Sequence, residues 1–403
     1  MKTTAMLLFL STLCIRCSFA GETTLHGFGS PGDGFSPETG VLLASNGNLY
    51  GTTYLGGAYD CGAVYQLVSG SGGAWTESVI YSFTCGDDGA YPLGVLVEDS
   101  SGRLFGTTTG EICAECLGAH GPGTVFYLTL SNGTWAINYF QFNSTAPNAY
   151  HPLGGVTLTA SGDIYSTTSV GGTYGDGAFF KLIPPYNGGW TLDTLYSFGS
   201  SPTDGQNPTG NLIWDSGAST FYGIASNGGT YDEGTVFALT YSSGWTETVL
   251  YNFTGGADGG FPLDGLTFDS SGNLYGTAFL GGGTCSCGVV YTLANSGSGW
   301  TETVLWTFTG YTTGTQGAGW PESGVVVNGD YVYGAASGSD AYDGILYKVP
   351  ISGGSMATLY AFSGGPSGRN PQGRIVRSGG VIYGTTYEGG GDGGGGEVFS
   401  WQP

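Results

Sequence analysis

Residues 271–283 read SGNLYGTAFLGGG, a turn followed by a short strand and a glycine-rich loop, and the chain repeats this pattern along its length. Close relatives of the stretch begin at Asn46 (NGNLYGTTYLGG), Ser101 (SGRLFGTTTG), Ser161 (SGDIYSTTSVGG) and Gly379 (GGVIYGTTYEGG). Its central aromatic residue occurs seven times, at Tyr50, Phe105, Tyr165, Tyr222, Tyr275, Tyr333 and Tyr383. A recurring internal period is the signature of a repeat architecture, so the repeat decides the fold.

Three further motifs recur with the same spacing and divide each repeat into four β-type segments. Copies of the motif TVLYNF lie 54 to 59 residues apart and begin at Thr23, Ser78, Ile137, Asp193, Thr248, Thr303 and Ala357. A proline followed by an apolar run recurs at Pro37, Pro92, Pro152, Pro208, Pro262, Pro321 and Pro371. A third motif, written TVFAL from Thr235, also has seven copies. In chain order the segments are a proline strand (a), an LYGTT strand (b), a TVF strand (c) and an LYSF strand (d).

Short turns join these segments, which predicts antiparallel pairing. Strands a and b are connected by turns such as DSSGN from Asp269, and strands c and d by turns such as SGSGW from Ser296. Glycine and asparagine supply the positive φ angles that tight hairpins need. The apolar runs show little alternation, which is typical of sheets buried on both faces. Four antiparallel strands repeated seven times predict an all-β fold, a seven-bladed β-propeller.

The two ends of the repeat array complement each other. The last repeat stops at EVFSWQP, residues 397–403, directly after strand c. The segment TTLHGF, residues 23–28, is a d strand with no blade before it. We therefore expect the N-terminal strand to complete the last blade and close the ring. The alternative architecture, a β-solenoid, would leave both ends as exposed edges that promote aggregation.

Composition excludes several classes of protein. The 403 residues include 80 glycines without a Gly-X-Y period, which excludes collagen. Aromatic residues make up 14% and hydrophobic residues 40% of the chain, which is too rich in packing residues for a disordered protein. The net charge is −22, from 30 acidic and 8 basic residues, so the field repels nucleic acids and anionic lipid heads.

Residues 1–20, MKTTAMLLFLSTLCIRCSFA, have the pattern of a secretory signal peptide. Lys2 supplies the charge, Met6 to Leu13 form the apolar run, and SFA precedes the cleavage site. The alternative is a membrane anchor, but the apolar run is shorter than a bilayer-spanning helix. We therefore expect a secreted or periplasmic protein in which residues 21–403 form a single domain. We expect it to be a monomer with no membrane span and no nucleic-acid partner.

The repeat also resembles a known family. The pattern G-N-L-Y-G-T-T-x-x-G-G…G-T-V-F-x-L, followed by LYSF, resembles the Gloeo/Verruco (GloVer) tandem repeat of secreted bacterial proteins. The resemblance covers essentially all of residues 21–403, and the sixth repeat, YVYGAASGSDAYDGILYKV from Tyr331, departs most. It implies a propeller fold and export. It implies no activity, because the family carries no established catalytic residues.

Antiparallel order places the b–c and d–a connections of every blade on one face, here named the long-loop face, and the a–b and c–d turns on the opposite hairpin face. The d–a loops carry an Asp-Gly motif near the proline, at Asp33, Asp88, Asp204 and Asp258. Aromatic residues precede several prolines, at Tyr91, Tyr150, Phe261 and Trp320. Such loops are candidates for calcium or sugar binding. A calcium site needs six to eight converging oxygens, however, so we favour the alternative that Asp-Gly shapes a turn.

Three carboxylates follow their prolines closely and are expected at the mouth of the central channel. They are Glu38, Asp264 and Glu322. Two of them could act as acid and base in glycoside cleavage if they lay at the required separation. Sequence alone does not supply that separation.

The six cysteines beyond residue 20 predict disulfides, because an even count suits an oxidising compartment. Six cysteines allow fifteen pairings. In a propeller all six lie on the long-loop face, and Cys285 and Cys287 lie across the ring from the other four, too far for a bridge. We predict Cys61–Cys85, Cys113–Cys116 and a strained Cys285–Cys287.

The stretch CAECLGAH, residues 113–120, offers an alternative. Cys113, Cys116 and His120, together with His151 from the next loop, could hold a tetrahedral zinc ion. Export favours a disulfide, so we expect no cofactor and keep zinc or calcium as the alternative. The remaining histidine, His26, lies in the closing strand, where we expect it to pack.

Tryptophans recur at the outer rim, near the c–d turns. They are Trp75, Trp135, Trp190, Trp245 and Trp300. A rim that stacks on sugars is one interpretation, and we favour hairpin packing.

Taken together, the residues favour a non-catalytic binding or surface-interaction module that uses the long-loop face. Its partner could be a carbohydrate or a cell-surface protein. The alternative is a secreted carbohydrate-active enzyme, a polysaccharide lyase or glycoside hydrolase, that uses the channel-mouth carboxylates. Propellers host both functions, so the fold alone does not choose between them.

Overall fold

Seven four-stranded antiparallel sheets form the protein, as the repeat predicts. The computed structural model describes residues 21–110, 121–144, 149–185, 189–297, 299–310, 318–338, 343–391 and 393–403. Within each sheet the order is a, b, c, d, and each repeat supplies one blade. The predicted seven-bladed β-propeller is therefore confirmed.

The strand bounds follow the four motifs in every blade. In blade 1, strands a to d are Leu42–Leu43, Leu49–Thr53, Ala63–Ser69 and Trp75–Ser82. In blade 2 they are Val97–Glu98, Leu104–Thr108, Thr124–Ser131 and Thr134–Gln141. In blade 3 they are Thr157–Leu158, Ile164–Thr168, Ala178–Ile183 and Thr191–Ser197. In blade 4 they are Gly205–Asp215, Thr220–Gly228, Thr235–Tyr241 and Trp245–Asn252.

The remaining blades continue the same order. In blade 5, strands a to d are Thr267–Phe268, Leu274–Ala278, Val289–Asn295 and Trp300–Thr307. In blade 6 they are Val326–Asn328, Tyr331–Ala336, Ile345–Pro350 and Ala357–Ala361. In blade 7 they are Val376–Ser378, Val381–Thr386, Glu397–Gln402 and Gly21–Gly27. The described residues also form two 3-10 turns, Ser71–Gly73 and Gly365–Ser367, and a small ribbon of Gly34–Phe35 with Leu55–Gly56.

The N-terminal strand closes the ring. Strand Gly21–Gly27 pairs antiparallel with strand Glu397–Gln402, from Gly21 opposite Gln402 to Gly27 opposite Glu397. Beyond the strand, the N–H of Phe28 donates to the carbonyl of Gly396 at 2.8 Å. The prediction that the N-terminal strand completes the last blade is confirmed.

Aromatic pairs seal every interface between blades. The phenylalanine that ends each LYSF motif packs on an aromatic residue of strand c in the next blade, with ring centroids 5.0 to 5.4 Å apart. The seven pairs are Phe28–Tyr65, Phe83–Phe126, Phe142–Phe180, Phe198–Phe237, Phe253–Tyr291, Phe308–Tyr347 and Phe362–Phe399. A buried aromatic pair stabilises the interface by more than its buried apolar area alone, which explains why the motif ends in phenylalanine.

Within the described residues no helix is long and apolar enough to cross a bilayer. The predicted signal peptide, residues 1–20, lies outside the part of the chain that the structure describes and stays a prediction.

A disulfide joins two loops of blade 1. Cys61 in the b–c loop is bonded to Cys85 in the d–a loop, with Cα atoms 5.5 Å apart, so this predicted bridge is confirmed. The structure also pairs Cys285 with Cys287, with Cα atoms 5.2 Å apart. Cys113 and Cys116 lie outside the described residues, so their bridge stays a prediction.

Replacing Cys61 and Cys85 together by alanine should lower the free energy of unfolding by about 3 kcal/mol, because the bridge closes a loop of 24 residues. The Cys285/Cys287 pair spans two residues and its replacement by alanine should have a smaller effect. Urea denaturation of the two double variants measures the difference. Equal effects of the two replacements would contradict the loop-entropy explanation.

Candidate binding site

Each blade holds the residue before its proline in the left-handed conformation. The φ angle lies between 51° and 60° at Ser36, Tyr91, His151, Asn207, Phe261, Trp320 and Asn370. Backbone hydrogen bonds impose this conformation: the N–H of Trp320 donates to the Cys287 carbonyl at 2.7 Å, and the Trp320 carbonyl accepts from Ser337 at 3.4 Å. Non-glycine residues rarely adopt such angles without being held there. These backbone hydrogen bonds fix the position at which the chain enters strand a.

The seven residues that follow the prolines form one ring at the long-loop end of the central channel. In blade order they are Glu38, Leu93, Leu153, Thr209, Leu263, Glu322 and Gln372, and all of them line one cavity of about 260 Å³. Blades 6, 7 and 1 are neighbours in the closed ring, so their Glu322, Gln372 and Glu38 form a continuous polar arc. The leucines of blades 2, 3 and 5 face that arc. We call this cavity the well.

Glu38 and Glu322 interact within the well. Ser337 Oγ donates to Glu322 Oε1 at 3.2 Å, and the side chain of Gln372 also hydrogen-bonds to Glu322. Burial, with a smaller contribution from the Glu322 charge, raises the pKa of Glu38 to about 7, and burial raises the pKa of Glu322. Two carboxylates in one cavity resist simultaneous ionisation, so the pair retains a proton close to neutral pH. It then offers both a hydrogen-bond donor and an acceptor.

Asp264, the third predicted channel-mouth carboxylate, also lines the well but is engaged by backbone. Its Oδ1 accepts from the N–H of Gly265, and its Oδ2 accepts from the N–H of Gly324 in blade 6, both at 2.6 Å. The carboxylate therefore ties blade 5 to blade 6. This leaves Glu38 and Glu322 as the carboxylates of the well with the greater freedom to contact a ligand.

Contacts next to the ring hold neighbouring blades together. Arg374 Nη2 donates to the carbonyls of Leu266 and Val325 at 3.1 and 3.2 Å, which links blade 7 to blades 5 and 6. Neighbouring a strands also touch: a Cβ on Gly154 would lie 1.9 Å from the carbonyl oxygen of Gly210. With a volume of about 260 Å³, the cavity has the size of a small molecule or the end of a chain.

The aspartates of the d–a loops lie outside the well and accept hydrogen bonds from strand d. Asp88 Oδ2 accepts from the hydroxyl of Tyr81 at 2.7 Å and from the N–H of Thr84 at 3.0 Å. The equivalent contacts join Tyr196 to Asp204, Tyr251 to Asp258 and His26 to Asp33, at 2.9, 2.9 and 3.1 Å. These hydrogen bonds stabilise the turn that follows strand d. Each carboxylate lies at a different interface between blades. The four are not brought together.

A partly buried glutamate from the next blade lies beside three of these contacts. We call the sets interblade triads: His26/Asp33/Glu77, Tyr196/Asp204/Glu247 and Tyr251/Asp258/Glu302. Burial, followed by the nearby aspartate, raises the pKa of Glu247 to about 9 and the pKa values of Glu77 and Glu302 to about 7. At the interface of blades 1 and 2 an isoleucine, Ile137, replaces the glutamate. Ile137 pairs with Leu128 on strand c in the same register in which Glu77 pairs with Leu67.

One triad has the donor types of a metal site. Ligand atoms of His26, Asp33 and Glu77 lie within 4.8 Å of one another. Tyrosine replaces the histidine in the other two triads, and tyrosine and aspartate there meet through a plain hydrogen bond. The hydrogen bond between strand d and its own d–a loop therefore accounts for the contact of His26 with Asp33.

The predicted aromatic neighbours lie outside the ring of the well. Tyr91 stacks on Tyr54 with ring centroids 4.9 Å apart, and Trp320 packs against the core that contains Cys287. Tyr150 contacts the ring of His151 at 5.0 Å. Their packing is between loops.

The predicted zinc ligands fall largely on residues that the structure does not describe. Cys113, Cys116 and His120 are in this group, so the zinc alternative stays untested. His151 is described: its Nδ1 lies 2.6 Å from the carbonyl oxygen of Thr109, and burial lowers its pKa.

Sequence reasoning missed Gln372, Thr209 and the leucines of the ring. The signal was available, because each of these residues directly follows one of the recurring prolines. Reading that position across all seven repeats would have found the ring, whereas a search restricted to carboxylates found three members of the well.

Comparisons with solved structures support the fold. A polysaccharide lyase of family PL25, an ulvan lyase bound to -[GlcA(1-4)Rha3S]-, matches with a TM-score of 0.54 and 10% identity, covering 93% of this chain and 94% of that one. A protein from Lactobacillus plantarum matches with a TM-score of 0.51 and 14% identity over 80% and 84%. The periplasmic gluconolactonase PpgL of Pseudomonas aeruginosa matches with a TM-score of 0.50 and 15% identity over 85% and 92%. At these identities the likeness concerns the fold alone.

No curated protein matches the chain. The family model described as the Gloeobacter/Verrucomicrobia repeat matches residues 112–335, more than half of the sequence. Together with the seven repeats, this match shows that the chain belongs to the Gloeobacter/Verrucomicrobia repeat family.

Proposed function

We propose that the protein is an exported, non-catalytic binding module that holds a neutral, hydroxyl-bearing ligand, such as a carbohydrate chain end, in the well. The observation that carries this proposal is the two-sided ring, with Glu322, Gln372 and Glu38 facing three leucines. A sugar ring has hydroxyl groups that donate and accept hydrogen bonds, and C–H faces that pack on apolar side chains. The half-protonated glutamate pair and the leucine arc suit these two kinds of surface.

Charge narrows the class of ligand. The chain has a net charge of −22, and the well contains glutamates that resist ionisation. An anionic ligand would meet an unfavourable potential at long range. The fragment bound to the ulvan lyase carries a uronic acid and a sulfate group, so its ligand is a poor guide for this chain. Neutral glycans are the better candidates.

A glycan array followed by calorimetry tests this proposal. Exchanging Glu322 for glutamine or Gln372 for alanine should weaken binding about tenfold, the effect of removing a charged or strong hydrogen bond at a half-buried site. Asp330→Asn, a change in an exposed a–b turn, should leave affinity unchanged. Binding that is insensitive to both variants of the well would contradict the proposal.

One observation favours a second candidate, a glycoside hydrolase that acts on chain ends. The pKa of Glu38, raised to about 7, suits a general acid, and Glu322 could serve as its partner. Mass spectrometry of the ligand after incubation separates the two functions. We expect the ligand to be recovered intact; cleavage that Glu38→Gln abolishes would establish the enzyme instead.

A further inference from the structure

A second cavity lies on the hairpin face, between blades 4 and 5. It has a volume of about 690 Å³ and opens between the a–b turns of the two blades and the c–d turn of blade 5. Three aromatic side chains and two aspartates are among the residues that line it: Tyr222, Phe268, Trp300, Asp215 and Asp269. We call this cavity the aromatic groove. It is remote from the well, because the hairpin turns and the long loops lie on opposite faces of the propeller.

The rings of the groove are arranged around Tyr222. Phe268 and Trp300, both from blade 5, meet Tyr222 of blade 4 edge to face, with centroids 5.4 and 5.9 Å away. Trp214 packs on Phe221 at 4.4 Å, on the side of blade 4 that faces blade 3, so its ring is not part of this arrangement. Interblade contacts therefore fix the orientation of these side chains, so the groove is preformed and little conformational entropy would be lost on binding.

The equivalent grooves of other blades show what such rings attract. Four of the six basic residues that the structure describes lie over aromatic rings. The pairs are Arg103 over Phe105, Lys181 over Tyr165, Lys348 over Tyr331 and Arg377 over Tyr333, with distances from 4.7 to 5.9 Å to the ring centroid. A cation above an aromatic face is stabilised by the negative potential of that face.

Phe268 occupies the strand position that Arg377 holds two blades later. Phe268 pairs with Leu274, and Arg377 pairs with Ile382, in the same a–b register. Arg377 covers Tyr333 of the preceding blade, whereas Phe268 contacts Tyr222 from the side. No lysine or arginine is among the described residues that line the aromatic groove. The groove therefore has the aromatic surface without an internal cation.

Asp215 adds a negative charge at the same place. Its Oδ1 accepts from the N–H groups of Gly217 and Ala218 at 2.8 and 3.2 Å, which fixes the carboxylate at the end of strand a. Its charge contributes, after burial, to a raised pKa of Tyr222, as expected for a nearby carboxylate. A cation in the groove would thus meet both ring faces and a fixed negative charge.

We propose that the aromatic groove binds an alkylated ammonium group, as in choline or a trimethylated amine. Several aromatic rings with a carboxylate are the chemistry that recognises such cations, and the acidic chain as a whole attracts them. This site is independent of the well and of the function proposed for it.

Isothermal titration calorimetry of the whole protein with choline tests this inference. Its neutral carbon isostere, 3,3-dimethylbutanol, has the same shape without the charge. Choline should bind at least tenfold more tightly than the isostere, because cation–π and ionic attraction require the charge. Equal binding of the two compounds would overturn the proposal. A protein that binds neutral oligosaccharides but shows no binding of choline would overturn it as well.

Two variants locate the site. Phe268→Arg should place an internal cation over Tyr222, as Arg377 lies over Tyr333, and reduce choline affinity at least tenfold while the fold is kept. Trp300→Leu, which removes one of the two rings that contact Tyr222, should reduce affinity several-fold. Leu43→Arg adds the same charge in blade 1 and should leave affinity nearly unchanged. Equal losses in Phe268→Arg and Leu43→Arg would show that net charge, not the groove, controls binding.

Discussion

A chain that begins at Phe28, and so lacks strand Gly21–Gly27, should be less stable than one that begins at Gly21 by about 5 kcal/mol. Six residue pairs join this strand to Glu397–Gln402. Their backbone hydrogen bonds contribute roughly 0.5–1.5 kcal/mol each, and Leu25 loses its apolar contacts. The melting temperature Tm should fall by ~10–20 °C, which differential scanning calorimetry measures.

The truncation also exposes an edge. Without Gly21–Gly27, strand Glu397–Gln402 would present unpaired N–H and C=O groups, and such an edge promotes association between chains. Glu397 would lose the hydrogen bond that Thr24 Oγ1 donates at 2.8 Å. We therefore expect the truncated chain to self-associate, as measured by light scattering.

A synthetic peptide of residues 21–27 is the control for this experiment. Added to the truncated chain, it should restore Tm and the monomeric state, because it supplies the missing partner of strand Glu397–Gln402. A scrambled peptide should not. If the truncated chain melts at the same temperature as the longer one, closure by this strand is not a source of stability.

The repeat predicted the fold because each motif has one structural role. The phenylalanine of LYSF, for example, always meets the aromatic residue of strand c in the next blade, as Phe83 meets Phe126. The pairing of the N-terminal strand d with the C-terminal strand c followed from counting segments. These features depend on local pattern and on order along the chain, both of which a sequence displays.

The candidate site was only partly predictable. Glu38 and Glu322 were expected at the channel mouth, and they line the well. Their proximity was not predictable, because they are 284 residues apart in the chain and become neighbours across Gln372 only when the ring closes. The engagement of both Asp264 oxygens by backbone N–H groups likewise depends on how closely the a strands approach.

The interblade triads were missed for a related reason. Glu77, Glu247 and Glu302 occupy the WTE sequence at the start of strand d, which suggests an exposed hairpin. In the structure these side chains lie against the d–a loop of the preceding blade. Sequence periodicity does not show which face of a strand meets the next blade, so it could not separate these buried glutamates from solvent-exposed ones.

The buried glutamates should make the protein most stable in mildly acidic solution. The pKa values in the folded protein are about 9 for Glu247, about 8 for Glu397, and about 7 for Glu77 and Glu302, all raised mainly by burial from 4.5. Between pH 4.5 and these values the folded state binds more protons than the unfolded state, so the free energy of unfolding falls as pH rises. This contribution is complete below pH 4.5 and is lost by about pH 9.

At lower pH, protonation of other groups decreases the free energy of unfolding. Hydrogen bonds from backbone and side chains lower the pKa values of Asp99, Asp204 and Asp269 against the effect of burial. Their contribution is present above pH 3.8 and is lost as pH falls through their folded pKa values. We therefore expect Tm to be highest between about pH 4 and pH 5.5 and to decline by several degrees toward pH 9.

Glu247→Gln identifies the largest single contribution. In the neutral state Glu247 can donate its proton to Asp204, and the amide of glutamine can replace this donor without ionising. The variant should match the parent at pH 5 and exceed its stability at pH 9 by on the order of 2 kcal/mol, the cost of burying an uncompensated charged group. Asp87→Asn, a change at an exposed loop position, should shift Tm equally at both pH values. If the stabilities of Glu247→Gln and Asp87→Asn change with pH in the same way, burial of Glu247 in the triad has no special effect. The pH dependence would then arise from the net negative charge of the surface, which both variants reduce by one.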